Sequence, residues 1–269
     1  MKKTILITGS TDGIGKLAAL KLAKAGHTIY LHGRNPEKLA GVVAEIKNVS
    51  HPDRIGGFVA DLSDLNAVRE MAKQIKGELA QLDVLINNAG VFKSSNPQNE
   101  DGLDMRLVVN YLAPYVLTQD LLPLLQRSEA ARLINLSSAA QATISAALLK
   151  GETQPNHQEA YAQSKLALTM WSFQLAATRP ELDVIAVNPG SLLDTKMVRE
   201  GFGHSWSPAD KGADILYELA VSDTYAGISG RYFDNDRGSF ASAHTDAYDQ
   251  AKIEQLLRST EELLSGLSL

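Results

Sequence analysis

The chain contains no cysteine in its 269 residues, which excludes disulfides, thiolate catalysis and cysteine-ligated metals. Its six histidines are scattered, with no HExxH-type pair, so no metal site is expected. Charge of one sign is lacking too: 26 basic and 31 acidic residues give a net charge of −5 without a long run of either. Neither a nucleic-acid partner nor an anionic membrane surface is indicated. Long hydrophobic runs are also missing. The basic start MKKTILITGS has only Ile5–Ile7 before polar and glycine residues, too short for the apolar region of a signal peptide. No stretch approaches the roughly 20 apolar residues of a membrane span. A cytoplasmic protein without a membrane span is the expectation.

What is present is a globular composition, 44% hydrophobic, and a rhythm of short apolar runs and longer helical patterns. TILIT (4–8), TIYLH (28–32), IGGFVA (55–60), DVLIN (83–87), ARLINLS (131–137) and LDVIAVN (182–188) read as strands. Helical spacing occupies 14–25, 36–47, 64–76, 101–127 and 158–178. Near-continuous apolar strands separated by helices predict a parallel sheet covered on both faces. Right-handed crossovers make it doubly wound. No linker or repeat interrupts the chain, so 1–269 is expected to be one α/β domain. Residues 141–157 read as a polar loop. Residues 191–240 are irregular, with a helix near 207–221 and a short apolar GRYF; the tail 245–264 has helical spacing.

Strand one runs directly into TGSTDGIGKLAALKLA. Gly9, Gly13 and Gly15 are spaced for a tight turn, close backbone approach to a pyrophosphate, and a helix N-terminus whose N–H groups favour an anion. No GK[ST] follows, which excludes a Walker-type loop. Further on, HQEAYAQSKLAL (157–168) sets Tyr161 and Lys165 one helical turn apart on one face. An ammonium beside a phenol favours the phenolate, although such a pair also suits a plain amphipathic surface. In RLVVNYLAPYVL, Pro114 has no N–H to return to the Asn110 carbonyl. A kink is expected there, with that carbonyl able to accept from a water.

TGSTDGIG, NNAG (87–90), Asn110, NLSS (135–138), Tyr161-x3-Lys165 and NPG (188–190) stand in the order found in the short-chain dehydrogenase/reductase family, which the chain resembles over roughly 4–240. YLHGRNPEK and the long Ser-to-Tyr segment resemble its retinol-dehydrogenase-like branch. The resemblance implies a Rossmann fold with a mainly parallel seven-stranded sheet. It also implies an oxidoreductase that moves hydride between a nicotinamide and a carbonyl/alcohol pair. Tyr161 would be the general acid/base, and Lys165 would lower its pKa and bind the nicotinamide ribose. Ser138 rather than Ser137 would hold the substrate oxygen, and Asn110 would anchor a proton-relay water. Cofactor contacts would come from Gly9, Ser10, Asp12, Gly13, Ile14 and Gly15, from Arg34, Asp61 and Leu62, from Asn88, Ala89 and Gly90, and from Pro189, Gly190 and Thr195, together with Tyr161 and Lys165. Members pair through the helices near 101–127 and 158–178, so a homodimer or homotetramer is implied.

Two departures stand out. Ser138 and Tyr161 are further apart than in many members, so 141–157 must loop out. In NPGSLLDT, Thr195 falls one position later than in the usual PGxxxT arrangement. Strand two ends in YLHGRN, where NAD users of this scaffold carry an acidic residue. Gly33 would leave room for a 2′-phosphate and Arg34 would bind it. NADP(H) is therefore expected over NAD(H), with Asp12 in the cradle weakening the preference. Leu148, Leu192, Leu193, Phe202 and Trp206 suit either an apolar substrate or the core. The competing reading is a non-catalytic dinucleotide-binding, redox-sensing regulator; an isomerase or dehydratase is a third.

Overall fold

The structure is a computed structural model and describes residues 2–267. Strands β1 (Thr4–Ile7), β2 (Thr28–Gly33), β3 (Ile55–Val59), β4 (Val84–Asn87), β5 (Arg132–Leu136), β6 (Asp183–Asn188), β7 (Arg231–Asp234) and β8 (Ser239–Ala241) form one sheet. Its order is β3-β2-β1-β4-β5-β6-β7-β8, with β8 antiparallel to β7 and all other neighbours parallel. The expected seven strands are present and the eighth is an addition. It escapes sequence patterning because it is three residues long with a single large apolar side chain.

The strands are apolar on both faces because both faces are covered. Ile5, Ile7, Val84, Ile86, Ile134 and Ile185 point to one core layer, under α1 (Gly13–Lys24), α2 (Pro36–Lys47) and α9 (Ala209–Val221). The alternating Leu6, Leu85, Leu133 and Val184 point to the other layer. That layer is closed by α3 (Leu65–Glu78), α5 (Ala113–Leu125), α7 (His157–Thr178) and α10 (Gln250–Gly266). Helix starts are set by side-chain caps: Asp12, Asn35, Asp64, Asn156 and Asp249 each accept a first-turn N–H. Pro36 takes the first position of α2, where no N–H is needed. The chain order reverses between β1 and β4, which opens the crevice at the strand C-termini where ligands bind in such sheets.

The segment expected to be a loop at 141–157 carries a short helix, α6 (Ala146–Leu149), whose Leu148 is completely buried. The irregular region 191–240 carries another, α8 (Lys196–Phe202). Ahead of α5 stand α4 (Met105–Leu107) and a π turn, Val108–Leu112.

Part of the surface on which the resemblance implied pairing is covered from within the chain. α10 packs on α7 and α6 and reaches the π turn ahead of α5: the Tyr111 hydroxyl and Thr260 Oγ1 are 2.8 Å apart, and both residues are fully buried. Ile253 and Leu256 join the core that holds Leu168 and Trp171. From Gln163 to Leu175 every residue of α7 is buried or half-buried. The exposed large hydrophobics Val49, Val59, Phe202, Trp206 and Tyr248 all lie outside α5 and α7. Among the described residues no helix is long and apolar enough to cross a membrane.

Candidate active site

The glycine cradle is required by packing at two of its three positions. Gly9 has φ +62°, and a Cβ on it would lie 2.8 Å from Ala89 Cα. A Cβ on Gly15 would fall 2.4 Å from Asn88 Nδ2 and 2.6 Å from the Gly9 carbonyl. Asn88 locks this turn by donating to the Thr8 and Gly9 carbonyls at 2.8 and 2.9 Å. Asp12 caps the Gly13 N–H at 2.8 Å. The next two N–H groups of α1, on Ile14 and Gly15, have no partner among the described residues. Two unpaired N–H groups at a helix start, under backbone without side chains, fit a pyrophosphate. Ser10, expected among the contacts, turns inward instead. It is completely buried, its hydroxyl donates to the Ile7 carbonyl, and it accepts the His32 N–H.

His32 was not singled out by the sequence, yet it holds the cradle. Its Nδ1 accepts the Gly9 N–H at 3.0 Å, and its Nε2 lies 3.1 Å from the Ala60 carbonyl, so the Nε2–H tautomer satisfies both. Burial lowers its pKa from 6.5 to about 4, which keeps the ring neutral and Nδ1 an acceptor.

At the end of β2, Arg34 is exposed and forms no ion pair among the described residues. Gly33 also carries a packing constraint: a Cβ there would lie 2.5 Å from Thr11 Cγ2, in the cradle. Lys38, on the first turn of α2, reaches Asp12 at 2.7 Å, and this contact is the main cause of the lowered Asp12 pKa. The carboxylate that should weaken a 2′-phosphate preference therefore has its own counter-ion. Asp61 accepts from Ser63 N and Oγ at 2.9 and 2.8 Å, while Asp64 is the α3 cap. Leu62 is buried in the core.

Ser138, Tyr161, Lys165 and Asn110 come together across the C-terminal ends of β4 and β5. The two serines of NLSS separate clearly. Ser137 is buried, 2.6 Å from Thr169 Oγ1 and 3.3 Å from the Lys165 carbonyl. Ser138 faces Tyr161, and its hydroxyl opposes the rise that burial imposes on the phenol pKa. Lys165 is 4% exposed. Its Nζ donates to the Leu136 carbonyl at 2.6 Å and lies 5.5 Å from the Tyr161 ring centre. Burial brings the amine down from 10.5 to about 7. Their spacing alone predicts that the ammonium lowers the phenol pKa. Desolvation is the leading cause at the half-buried Tyr161 and at the buried Lys165, and it disfavours both charged forms.

Asn110 sits inside the π turn, where the Ala113 N–H bonds back to the Val108 carbonyl. The expected kink thus takes the form of a widened turn at the place where Pro114 removes a donor. The Asn110 side chain clamps Val91, accepting its N–H at 2.8 Å and donating to its carbonyl at 3.0 Å. It also donates to Ser164 Oγ at 3.0 Å. Gly90 marks the convergence: a Cβ there would lie 3.3 Å from Asn110 Oδ1 and 3.5 Å from Lys165 Nζ.

The extra residue before Thr195 is absorbed by Leu192, the only non-glycine with positive φ (+46°) among the described residues. Thr195 caps α8, and its Cγ2 lies 3.5 Å from where a Gly13 Cβ would be. Pro189 accepts from Asn235 Nδ2 at 2.8 Å, and Gly190 has φ +126°. α8 then packs over the site. The Phe202 ring stacks on Phe92 with centroids 4.9 Å apart, and Phe92 meets the Tyr161 ring edge-on at 5.2 Å. A Cβ on Gly201 would strike Phe92 at 2.9 Å. Phe92 escaped the sequence reading, although it lies two residues past NNAG. Of the apolar candidates, Leu148 and Leu193 belong to the core, while Phe202 and Trp206 are exposed.

Residues 3–204 match the short chain dehydrogenase family. Human retinol dehydrogenase 13 is 34% identical over 252 residues, covering 86% of this chain and 76% of that protein. A Streptomyces sp. (strain C5) protein described as a daunorubicin C-13 ketoreductase is 33% identical over 262 residues, covering 93% and 90%. A solved structure from Shigella flexneri 2a, described as a short chain dehydrogenase complexed with NADP, superposes with a TM-score of 0.71 at 31% identity. The superposition covers 87% of this chain and 97% of that one.

Proposed function

The chain belongs to the short-chain dehydrogenase family, in its retinol-dehydrogenase-like branch, and from that premise we propose that it is an NADP(H)-dependent oxidoreductase of apolar carbonyls and secondary alcohols. The observation that carries the reading is the convergence of Ser138, Tyr161 and Lys165 beside a glycine cradle with two unpaired N–H groups. When bound, the cofactor supplies or takes the hydride. The chain's own residues handle the oxygen and the proton. Ser138 Oγ accepts the Ala140 N–H at 3.1 Å, which leaves its own O–H to donate to a carbonyl oxygen. Tyr161 gives its proton to the same oxygen as negative charge develops there. Lys165, with a pKa of about 7, gains or loses a proton near neutrality. The Asn110 carbonyl, deprived of a donor by Pro114, is the acceptor from which a relay to Lys165 would start.

Three features support NADP(H) over NAD(H). Strand β2 ends without a carboxylate, Arg34 stands exposed beside it, and Lys38 neutralises Asp12. The NADP-complexed relative agrees with that preference. An apolar substrate suits the wall built by Phe92 and Phe202. No observation favours a non-catalytic regulator, since its expected loss of Tyr161, Lys165 or Ser138 has not occurred.

The test follows loss of NADPH absorbance with a panel of retinoid, steroid, quinone and aliphatic carbonyls, for wild type and Tyr161→Phe, and compares NADPH with NADH in Arg34→Ala. Turnover that the Phe variant loses while still binding NADPH is expected, with a wild-type preference for NADPH that Arg34→Ala reduces. A Phe variant keeping a tenth of wild-type kcat, a loss of only ~1.4 kcal/mol in the barrier, overturns the role of Tyr161. A wild type that favours NADH overturns the cofactor assignment.

A further inference from the structure

Ser138 lies two residues beyond the end of β5, where the chain leaves the sheet and is followed by the exposed Ala139 and Ala140. Two exposed alanines supply little packing, so the turn must be held by hydrogen bonds. Its carbonyl accepts two side-chain donors: Gln141 Nε2 at 2.9 Å and the Tyr232 hydroxyl at 3.0 Å. Tyr232 belongs to β7 and is 4% exposed. Burial raises its pKa, with Asp234 and Asp236 adding to the effect, so the phenol keeps its proton. Gln141 is anchored in turn from the C-terminal segment, where its Oε1 accepts the His244 N–H at 3.1 Å. That segment is fastened by the buried Asp246, whose carboxylate accepts from Thr143 Oγ1 at 2.7 Å and from Lys252 Nζ at 2.6 Å.

We propose that Tyr232 and Gln141 are positioning residues for Ser138, holding its carbonyl so that the hydroxyl faces Tyr161, and that the His244–Asp246 segment fixes Gln141 in that role. The inference rests on the reading of Ser138 as the residue that binds the substrate oxygen. A carbonyl held from two sides sets the backbone at Ser138. The Ala140 N–H then sets the hydroxyl rotor by occupying a lone pair. Misplacing a reacting group by about 1 Å can cost on the order of 100-fold in rate, so a device of this kind at a turn without packing has direct catalytic weight.

Two substitutions separate positioning from bulk stability. Tyr232→Phe removes one donor and keeps the ring. Gln141→Glu keeps an acceptor for the His244 N–H but turns a carboxylate oxygen toward the Ser138 carbonyl. In each, kcat for a carbonyl turned over by the wild type should fall about tenfold, ~1.4 kcal/mol in the barrier, while NADPH affinity by fluorescence titration stays at the wild-type value. As pH is lowered through the carboxyl range, kcat of Gln141→Glu relative to wild type should recover, because a protonated carboxyl can donate again. Hydrogen exchange across 138–142 should quicken in both variants and stay unchanged in α1. Wild-type kcat and wild-type exchange in both variants overturn the proposal. So does a loss of kcat accompanied by an equal loss of NADPH affinity, which indicates general loosening. If the wild type reduces no carbonyl at all, the proposed function fails, and the exchange measurement alone decides the clamp: unchanged protection at 138–142 overturns it.

Discussion

Replacing Lys165 with methionine should abolish turnover and yet make the fold more stable. Met keeps an unbranched apolar stem in place of the lysine stem and removes the amine. The magnitude follows from the amine's displacement from 10.5 to about 7 in a side chain only 4% exposed. At about 1.4 kcal/mol per tenfold change in ionisation, the folded state disfavours the ammonium by roughly 5 kcal/mol, of which about 4 is felt at pH 7. Against this stands the hydrogen bond to the Leu136 carbonyl at 2.6 Å. Its loss leaves an unpaired acceptor at a cost of about 1 kcal/mol. A net gain of about 3 kcal/mol remains, which for a chain of this size moves the Tm up by roughly 6–12 °C. The sign of the pH dependence is fixed. Between pH 7 and 10.5 the unfolded wild type holds a proton on this lysine that the folded form has released, so wild-type stability rises with pH across that window. The variant lacks that rise, so its advantage should vanish near pH 10 and turn into a deficit of up to about 1 kcal/mol at higher pH, the cost of the lost hydrogen bond. Urea midpoints at pH 7, 8.5 and 10 measure it. A variant less stable than wild type at pH 7, or an advantage that stays constant up to pH 10, would refute the claim that burial governs this amine.

Two further outcomes follow from other parts of the molecule. His32, with its folded pKa lowered from 6.5 to about 4, is protonated first in the unfolded chain. Stability should therefore fall as pH drops from 6.5 to 4, by up to about 3 kcal/mol. His32→Gln should remove that part of the acid sensitivity, and a urea midpoint whose pH dependence is identical in wild type and variant counts against it. Light scattering on the purified chain should give the mass of one chain, 29.0 kDa, because α10 packs on α7 and reaches Tyr111 ahead of α5. A dimer that cross-links through the part of α7 on which α10 lies would contradict that packing.

The legible parts of the sequence were those in which a local pattern has a local cause. Alternate residues of each strand go to opposite core layers, so apolar runs bounded by glycine and polar residues revealed the parallel strands. Helix starts at Asp12, Asn35 and Asp64 are likewise short-range events. What stayed hidden is held by partners distant in the chain. α8 is seven residues long, and its position comes from Phe92 stacking on Phe202 more than a hundred positions away. Ser137 and Ser138 are the same residue type in the same strand end; Thr169 and the Lys165 carbonyl, both on α7, consume one hydroxyl and leave the other facing Tyr161. Gln141 and Tyr232 carry no motif at all, and their relation exists only at the Ser138 carbonyl.

Electrostatics was the least legible layer, for a physical reason. A tyrosine and a lysine four apart announce a shared face, and from that alone the ammonium should lower the phenol. The dielectric around the pair is set elsewhere, by Phe92 packed on the tyrosine ring and by the buried end of β5 beside the amine. There desolvation leads the shift of each group, raising the phenol and bringing the lysine down to about 7. At Asp12 the surroundings act in the opposite sense. Its carboxylate, read alone, repels a phosphate. Lys38, 26 residues away, meets it at 2.7 Å and cancels that repulsion. A charge's effect at a site depends on its counter-ion and its solvent, and both are contributed by the fold. That is why the cofactor preference turns on Arg34 and Lys38 together, and why removing Lys38 should expose the Asp12 charge that Arg34 alone must then overcome.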